Sequence, residues 1–185
     1  MWPSQAKAPA LGAGERGFES LHSDYLLTNK KNDMALVLSG FPGVGKSYVY
    51  EKYKFNSDRI ILDSDSSKFD KSKFPANYIE HIKENLDKVS IIMVSSHKEV
   101  RDALLDAGID FIVVYPDKSL KEDYLKRYKE RGNAQAFIDL IDRMWDTWID
   151  EIEDDKRLRS YTIVRPDVFM DTILETAEKA YNAVK

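Results

Sequence analysis

Residues 35–47 read ALVLSGFPGVGKS, a largely apolar run followed by a glycine-rich stretch that ends in Gly-Lys-Ser. The second part fully matches the pattern G-x-x-x-x-G-K-[ST], whose glycines let the backbone curl until successive N–H groups face one centre. An apolar run precedes the match and a helical pattern follows it, so the segment predicts a phosphate-binding loop between a strand and a helix. The loop residues are Gly40, Phe41, Pro42, Gly43, Val44, Gly45, Lys46 and Ser47.

The chemistry expected at this loop is that of a nucleoside triphosphate bound with Mg²⁺. Loop amides and the positive end of the following helix attract phosphate oxygens. Lys46 is expected to bridge the β- and γ-phosphates as a point charge, and the Ser47 hydroxyl is expected to ligate Mg²⁺. We therefore predict ATP and Mg²⁺ as ligands, with Ser47 as the metal-binding residue.

Outward from the loop, short β-rich runs alternate with helical patterns, which indicates βαβ units and a parallel sheet. The near-continuous apolar character of these runs predicts burial on both faces, hence an α/β three-layer sandwich with a five-stranded parallel sheet, the P-loop NTPase fold. The predicted strands are Ala35–Ser39, Arg59–Asp63, Ser90–Ser95, Asp110–Tyr115 and Tyr161–Val164.

Helix signals fill the intervals between the predicted strands. Gly108 is expected to end a helix over Lys98–Ala107, and Ser119 with Glu122 reads as a capping box that starts a helix running to about Arg131. A longer helix is predicted from the apolar spacing of Ile138, Ile141, Trp145, Trp148 and Ile152, and a last one spans about Asp167–Val184. We expect both tryptophans to pack in the core, the alternative being that they stack on a nucleobase.

Composition narrows the function classes. The 185 residues carry 28 basic and 32 acidic side chains, a net charge of −4, which argues against a general polyanion-coating protein. Without cysteine there is no disulfide framework or thiolate nucleophile, and three scattered histidines do not read as a metal cluster. No apolar run approaches the length that spans a bilayer, so we expect no membrane association and a cytoplasmic location.

Acidic residues follow the second predicted strand, at the sheet edge where α/β proteins bind ligands. Asp63-Ser64-Asp65 offers a carboxylate that can accept a proton from an attacking hydroxyl or orient Mg²⁺ through water. An Asp-rich turn or helix cap is the structural alternative. We expect only one of the two carboxylates to face the nucleotide, and we assign Asp65 as the base with Asp63 in support.

Two arginines lie four residues apart in the helix that ends at Gly132. Arg127 and Arg131 therefore share one helical face, which suits a small lid that neutralises charge on a transferred phosphoryl group. A solvated basic face is the alternative. The sequence carries no guanine-reading Asn/Thr-Lys-x-Asp motif, which argues against a GTPase switch.

Taken together, the glycine-rich loop, the aspartate-bearing second strand and the Arg-x-x-x-Arg-Gly lid resemble the P-loop kinase family. Over about Ala35–Trp148 the sequence is most similar to the kinase domain of bacteriophage polynucleotide 5′-kinase. The resemblance implies phosphoryl transfer, with Asp65 as general base, Lys68 in place of a substrate-side arginine and Arg131 as the lid arginine. Lysine loses the bidentate fork that arginine offers to phosphate.

A second departure concerns the metal shell. Where related kinases carry a third-strand aspartate, this sequence reads Val94-Ser95-Ser96-His97, so either Ser95 acts through water or Asp63 takes over. The predicted acceptor is a nucleoside, a nucleotide or a polynucleotide end. Lysines interleaved with Phe69 and Phe74 could grip its phosphate and stack its base, the alternative being a flexible solvated loop. The rival function is a non-kinase P-loop ATPase or a nucleotide-gated binding module, with no obligate protein partner in either case.

The first 33 residues differ from the rest, with scattered proline and glycine and no sustained hydrophobic period. We interpret residues 1–33 as a poorly ordered extension and residues 34–185 as one kinase-like domain.

Deletion of residues 1–33 is expected to leave folding and ATP binding unchanged, because no periodic apolar pattern links them to the core. Thermal unfolding followed by circular dichroism and ATP calorimetry on the two chain lengths check this. A chain beginning at Met34 that fails to fold or to bind ATP contradicts the domain assignment.

Overall fold

A computed structural model describes residues 34–55 and 59–174. The expectation about residues 1–33 and most of the predicted last helix lie outside these ranges. Within them, residues 170–174 are helical, three residues after the predicted start of that helix.

The described residues form one five-stranded parallel sheet in the order β2-β3-β1-β4-β5. The predicted α/β fold class is confirmed, and the strands differ from prediction by two residues at most. Strand β5 begins two residues early because the polar pair Arg159-Ser160 still pairs with Ile112 and Val113 at this edge. The strands are β1 (Leu36–Gly40), β2 (Ile61–Asp63), β3 (Ile91–Ser95), β4 (Phe111–Pro116) and β5 (Arg159–Ile163).

Helices connect the strands. Right-handed crossovers place α1, which leads from β1 out to the edge strand β2, on the face opposite α2 and α3. Among the described residues no helix combines the length and the apolar character needed to cross a bilayer. The helices are α1 (Lys46–Tyr53), α2 (Ala76–Asn85), α3 (Lys98–Asp106), α4 (Lys121–Glu130) and α5 (Gln135–Glu153), with 3₁₀ turns at Ser66–Lys68 and Lys118–Leu120.

The centre of the core is the pair β1 and β3. Neighbouring side chains of a strand point to opposite faces, yet Val37, Ile92 and Met93 are all fully buried. Layers of helices therefore cover both faces of the sheet, which leaves its carboxyl edge as the place where backbone and polar side chains reach solvent.

The start of α4 corrects a prediction. Ser119 and Glu122 do not form the expected capping box, because Asp117 instead accepts hydrogen bonds from the Ser119 N–H at 2.9 Å and from its hydroxyl at 2.6 Å. That cap begins a 3₁₀ turn, and α4 follows it. The predicted end of the helix is confirmed, since Gly132 adopts φ +72° just beyond it.

Helix α5 buries one of its two tryptophans. Trp145 is fully buried, packs edge-on to Phe41 at 5.4 Å between ring centroids and donates from Nε1 to the Lys118 carbonyl at 3.0 Å. Trp148 is only half-buried, and Ile149 occupies the core position instead. The prediction of core packing is therefore confirmed for Trp145, whereas Trp148 packs against the core with only part of its ring buried.

Replacement of Trp145 by Ala is expected to lower the free energy of unfolding by about 3–5 kcal/mol, since it leaves a large cavity under Phe41. Trp145→Phe is expected to cost less, about 1 kcal/mol for the lost hydrogen bond, because the ring volume is partly kept. Thr147→Ala, an exposed change on the same helix, is the control. Urea unfolding measures all three, and equal effects of the two Trp145 changes contradict the packing argument.

Candidate functional site

The phosphate-binding loop lies at the carboxyl edge of the sheet, directly after the central strand. Strand β1 is flanked by β3 on one side and β4 on the other, and connections leave the sheet in opposite directions from this point. Open α/β sheets bind ligands at such a switch point. The loop predicted from sequence therefore occupies the position that the fold makes available for a ligand.

Hydrogen bonds anchor both halves of the loop. The Phe41 N–H donates to the Val114 carbonyl of β4 at 2.8 Å, and the Met170 N–H donates to the Val44 carbonyl at 2.9 Å. The Phe41 and Val44 side chains are buried, so they anchor the loop in the core. The remaining backbone is thereby held in a fixed curve.

Two glycines make that curve possible. Gly43 and Gly45 adopt φ values of +81° and +102°, a region that residues with a Cβ rarely enter. A Cβ on Gly43 would also come within 2.9 Å of the Tyr128 ring. The glycine requirement at this position is thus both conformational and steric.

Helix α1 begins at Lys46 directly behind the loop. Its Ncap residue is Gly45, which supplies no side-chain cap, so the first-turn N–H groups have neither an intrahelical partner nor a capping oxygen. Uncapped amides at a helix N-terminus attract anions through hydrogen bonding and the helix dipole. This arrangement is suited to the phosphates of a nucleotide.

Lys46 is folded over its own loop and donates from Nζ to the Gly40 carbonyl. Burial lowers the pKa of Lys46 to about 8, and the Asp63 carboxylate partly opposes that change. The charges of Asp65 and Arg131 also act on this ammonium group. The Lys46 ammonium group is thus within electrostatic range of both acidic residues and of the lid arginine.

Ser47 and Asp63 form the oxygen pair that could hold Mg²⁺. The Ser47 hydroxyl lies 3.5 Å from Asp63 Oδ2. Burial raises the pKa of Asp63, while the nearby Lys46 ammonium opposes the rise. A hydroxyl and a carboxylate at the mouth of a phosphate-binding loop are the hard oxygen donors that Mg²⁺ takes alongside phosphates, so the residues present fit the ion.

Asp65 has a different environment. It is exposed, it caps the 3₁₀ turn by accepting from the Ser67 N–H at 2.9 Å, and its pKa is lowered. Desolvation would raise this pKa, but the Ser67 hydrogen bonds and the charge of Lys68 prevail. The expectation that only one carboxylate faces the nucleotide stays a prediction, although the charges of both Asp63 and Asp65 act on Lys46. Residues two apart in an extended segment project to the same side.

Tyr78 joins the acidic segment to the neighbouring strand, and sequence reasoning missed it. Its fully buried hydroxyl donates to the Ser64 carbonyl at 2.6 Å and accepts from the Ser95 N–H at 3.2 Å. Burial raises the pKa of Tyr78 to about 12, so the hydroxyl keeps its proton. Because Tyr78 lies in the apolar stripe of α2, its sequence context indicates only core packing.

The segment after Asp65 is ordered by its aromatic residues. Phe69 and Phe74 pack on Tyr78 with ring centroids 4.8 and 5.6 Å away, and the Lys71 ammonium lies 4.7 Å from the Phe74 centroid. These rings are therefore half-buried supports, and the structure favours neither base stacking nor a loose solvated loop here. Lys68 is exposed at the end of the 3₁₀ turn, close enough for its charge to act on Asp63 and Asp65.

Arg127 is engaged by the backbone. Its guanidinium donates to the Gly43 carbonyl at 2.8 Å and to the Pro166 carbonyl at 2.7 Å. The Tyr124 and Phe169 rings lie on it, 4.3 and 4.5 Å from its central carbon. Arg127 thus ties α4 and the segment after β5 to the loop, and sequence reasoning had not identified either of the two rings or Pro166.

Tyr128 adds a second tie from α4, since its hydroxyl donates to the Pro42 carbonyl at 2.7 Å. The position of Tyr128 between the two lid arginines was the available sequence signal, together with the rule that the segment after each parallel strand reaches the carboxyl edge. Arg131, four residues after Arg127, lines the open space beside the loop.

That open space is a cavity of about 1000 Å³. Its size is at the upper end for small-molecule and cofactor sites. The phosphate loop, the lid helix and the segment after β5 all contribute to its wall, including Gly45, Lys46, Ser47, Arg127, Arg131 and Phe169.

The sheet order and the loop define an α/β protein with the P-loop NTPase fold. No protein-family model matches the sequence, and no curated protein matches it. Among solved structures the chain is similar to a gluconokinase from Sinorhizobium meliloti 1021, with 16% sequence identity, coverage of 82% of this chain and 97% of that chain, and a TM-score of 0.45. No residue role is carried over from that enzyme.

Substitution of Gly43 by Ala is expected to abolish measurable ATP binding, because the new Cβ meets the Tyr128 ring and the positive φ is strained. Gly108→Ala is the matched control, since Gly108 has φ +67° and no atom within 4 Å of an added Cβ. Both changes are expected to cost roughly 1 kcal/mol of backbone strain. Calorimetry with ATP separates them, and equal binding by the two variants contradicts the steric argument.

Proposed function

We propose that the protein is an ATP-dependent phosphotransferase of the P-loop kinase type. It transfers the γ-phosphoryl group, with Mg²⁺, to a hydroxyl or phosphate of a nucleoside, a nucleotide or a polynucleotide end. The observation that carries the proposal is the glycine-rich loop with Lys46 and Ser47 at the sheet edge, where Asp63 lies 3.5 Å from the Ser47 hydroxyl and Arg131 lines the same cavity as both loop residues. A cytoplasmic setting belongs to the proposal because it supplies ATP.

The loop holds the donor in this mechanism. The amides of Gly43 and of residues 45–47 at the α1 N-terminus bind the phosphate oxygens, and Lys46 exchanges its bond with the Gly40 carbonyl for the β- and γ-phosphates. Because burial holds the pKa of Lys46 near 8, bound phosphate would stabilise its charged form. Ser47 and Asp63 would hold Mg²⁺, which when bound neutralises charge on the phosphate oxygens.

Phosphoryl transfer needs no reagent other than ATP and the acceptor. An acceptor oxygen forms a bond to the γ-phosphorus, the bond from that phosphorus to the β–γ bridging oxygen breaks, and ADP leaves. When the acceptor is a hydroxyl, its proton passes to the Asp65 carboxylate. The lowered pKa of Asp65 keeps this group ionised near neutral pH, so it is ready to accept the proton as the P–O bond forms.

Arg127 and Arg131 have different roles in this mechanism. Arg131 lines the cavity beside Lys46 and would stabilise charge on the transferred group. Arg127, with its guanidinium held by two carbonyls, acts on the reaction by positioning the loop. Lys68 would attract the acceptor as a point charge.

A specific observation favours a second candidate, a P-loop ATPase or nucleotide-gated binding module without an acceptor. The Ser67 hydrogen bond gives Asp65 a structural role that needs no catalysis. ATP consumption measured with a panel of acceptors separates the two functions. Turnover that does not depend on any acceptor supports the second candidate.

Replacement of Asp65 by Asn is expected to reduce phosphoryl transfer on the order of a hundredfold or more while leaving ATP affinity nearly unchanged, because only the proton acceptor is lost. Asp70→Asn is the matched control. Asp70 is exposed and accepts from the Ser72 N–H at 2.9 Å, as Asp65 does from Ser67, five residues earlier.

Steady-state kinetics and ATP calorimetry on the two variants provide the measurement. A structural role alone predicts similar small effects of the two changes. Transfer that survives in Asp65→Asn at the level of Asp70→Asn therefore removes Asp65 from the mechanism.

A further inference from the structure

A second, smaller cavity of about 190 Å³ opens beside the phosphate loop. Its wall combines loop residues, the start of α3 and the last turns of α5, including Pro42, His97, Arg101, Trp148 and Glu151. This volume is below the range of complete small-molecule sites but exceeds what a few waters need. It is therefore suited to one polar group of a ligand that extends from it.

Arg101 is the unusual side chain of this cavity. It is 2% exposed and donates from Nη1 to the Ser96 carbonyl. Its Nε and Nη2 groups are buried and have no hydrogen-bond partner among the described residues. A buried guanidinium with two unused donors is costly to a fold, since buried polar groups are normally satisfied. A ligand that accepts both hydrogen bonds would remove the cost.

The surrounding charges show what kind of ligand that is. Glu151 Oε2 lies 3.9 Å from Arg101 Nη2, an ion-pair distance that is too long for a hydrogen bond, and the charges of Asp102 and Asp155 also act on Arg101. Lys98, also in the wall, is paired with Asp102 at 2.5 Å. The two unused donors therefore call for an oxygen acceptor with negative charge, which a guanidinium binds in a two-pronged manner.

The cavity adjoins the proposed reaction centre. Pro42 lines both this cavity and the large one, and the charge of Lys46 acts on His97. The half-buried Trp148 ring lies 6.1 Å from the His97 ring and 6.4 Å from Phe41 of the loop. A ligand group bound at Arg101 would thus be separated from the large cavity by Pro42 of the loop.

We propose that the Arg101 cavity binds an oxyanion, a phosphate or carboxylate group carried by the phosphoryl acceptor. The proposal rests on the phosphotransferase function and sharpens it, because it selects anionic acceptors such as nucleotides or phosphorylated polynucleotide ends over neutral nucleosides. Within the site, Arg101 supplies two hydrogen bonds to the anionic group, and the rest of the acceptor extends past Pro42 into the large cavity beside the loop.

The test is direct binding of inorganic phosphate, and separately of acetate, to the full chain at constant ionic strength, followed by tryptophan fluorescence. Trp148→Phe identifies the part of the signal that comes from the cavity wall. A parallel series in Lys46→Met keeps phosphate bound at the loop from being counted. Whichever of the two anions binds identifies the group that the acceptor carries.

Three variants make the binding test sharp. Arg101→Gln is expected to weaken anion binding about tenfold or more through loss of charge-assisted hydrogen bonds. Glu151→Gln is expected to tighten it, since the change removes the competing carboxylate, and a misfolded protein could not produce such a gain. Arg143→Gln, an exposed change on the same helix as Trp148, is expected to have no effect.

Kinetics then connect the cavity to the acceptor. Arg101→Gln is expected to raise the KM for a phosphorylated acceptor by a larger factor than the KM for ATP or for a neutral nucleoside, and Arg143→Gln is expected to leave all three unchanged. Absence of anion binding to the wild-type chain, or equal binding by wild type and Arg101→Gln, overturns the proposal. If anions fill the cavity but ATP does not bind the loop, the phosphotransferase function fails while the oxyanion site stands.

Discussion

Uncapped backbone amides at the start of α1 are the physical constraint on which the described structure depends. Amides without intrahelical partners and a lysine held beside them favour the binding of an anion at this loop. Every neighbouring element holds this arrangement in place. Phe41 and Val44 anchor the loop below, Tyr128 and Arg127 hold it from the lid helix, and the Met170 amide closes it behind.

The pKa values of Asp63 and Asp65 shift in opposite directions because their surroundings differ. Asp63 is half-buried next to Ser47 and its pKa rises, whereas Asp65 is exposed, hydrogen-bonded by Ser67, and its pKa falls. Neighbouring carboxylates with opposite shifts are typical of sites where each has a separate role. Here Asp63 lies 3.5 Å from the Ser47 hydroxyl, whereas Asp65 caps the 3₁₀ turn that follows.

Sequence reasoning reached the features that local patterns encode. The strands, the loop and the glycine end of α4 depend on neighbours in sequence, and all were predicted to within two residues or at the named position. The features it missed depend on contacts between distant segments. The Tyr78 bridge joins the end of β2 to β3, and Arg127 donates to carbonyls 84 and 39 residues away. No periodicity within a single element carries that information.

Pro42 lies between the large cavity and the Arg101 cavity and lines both of them. Proline has no N–H to give to a phosphate and its φ is fixed, so the partition is stiff, and its carbonyl is already taken by Tyr128. If both cavities bind ligands as proposed, the two occupants would contact the same proline, and any effect of one on the affinity for the other would be reciprocal by the same factor. Binding of one reactant would in this way change the affinity for the other, and a preferred order of binding would then arise without the movement of a domain.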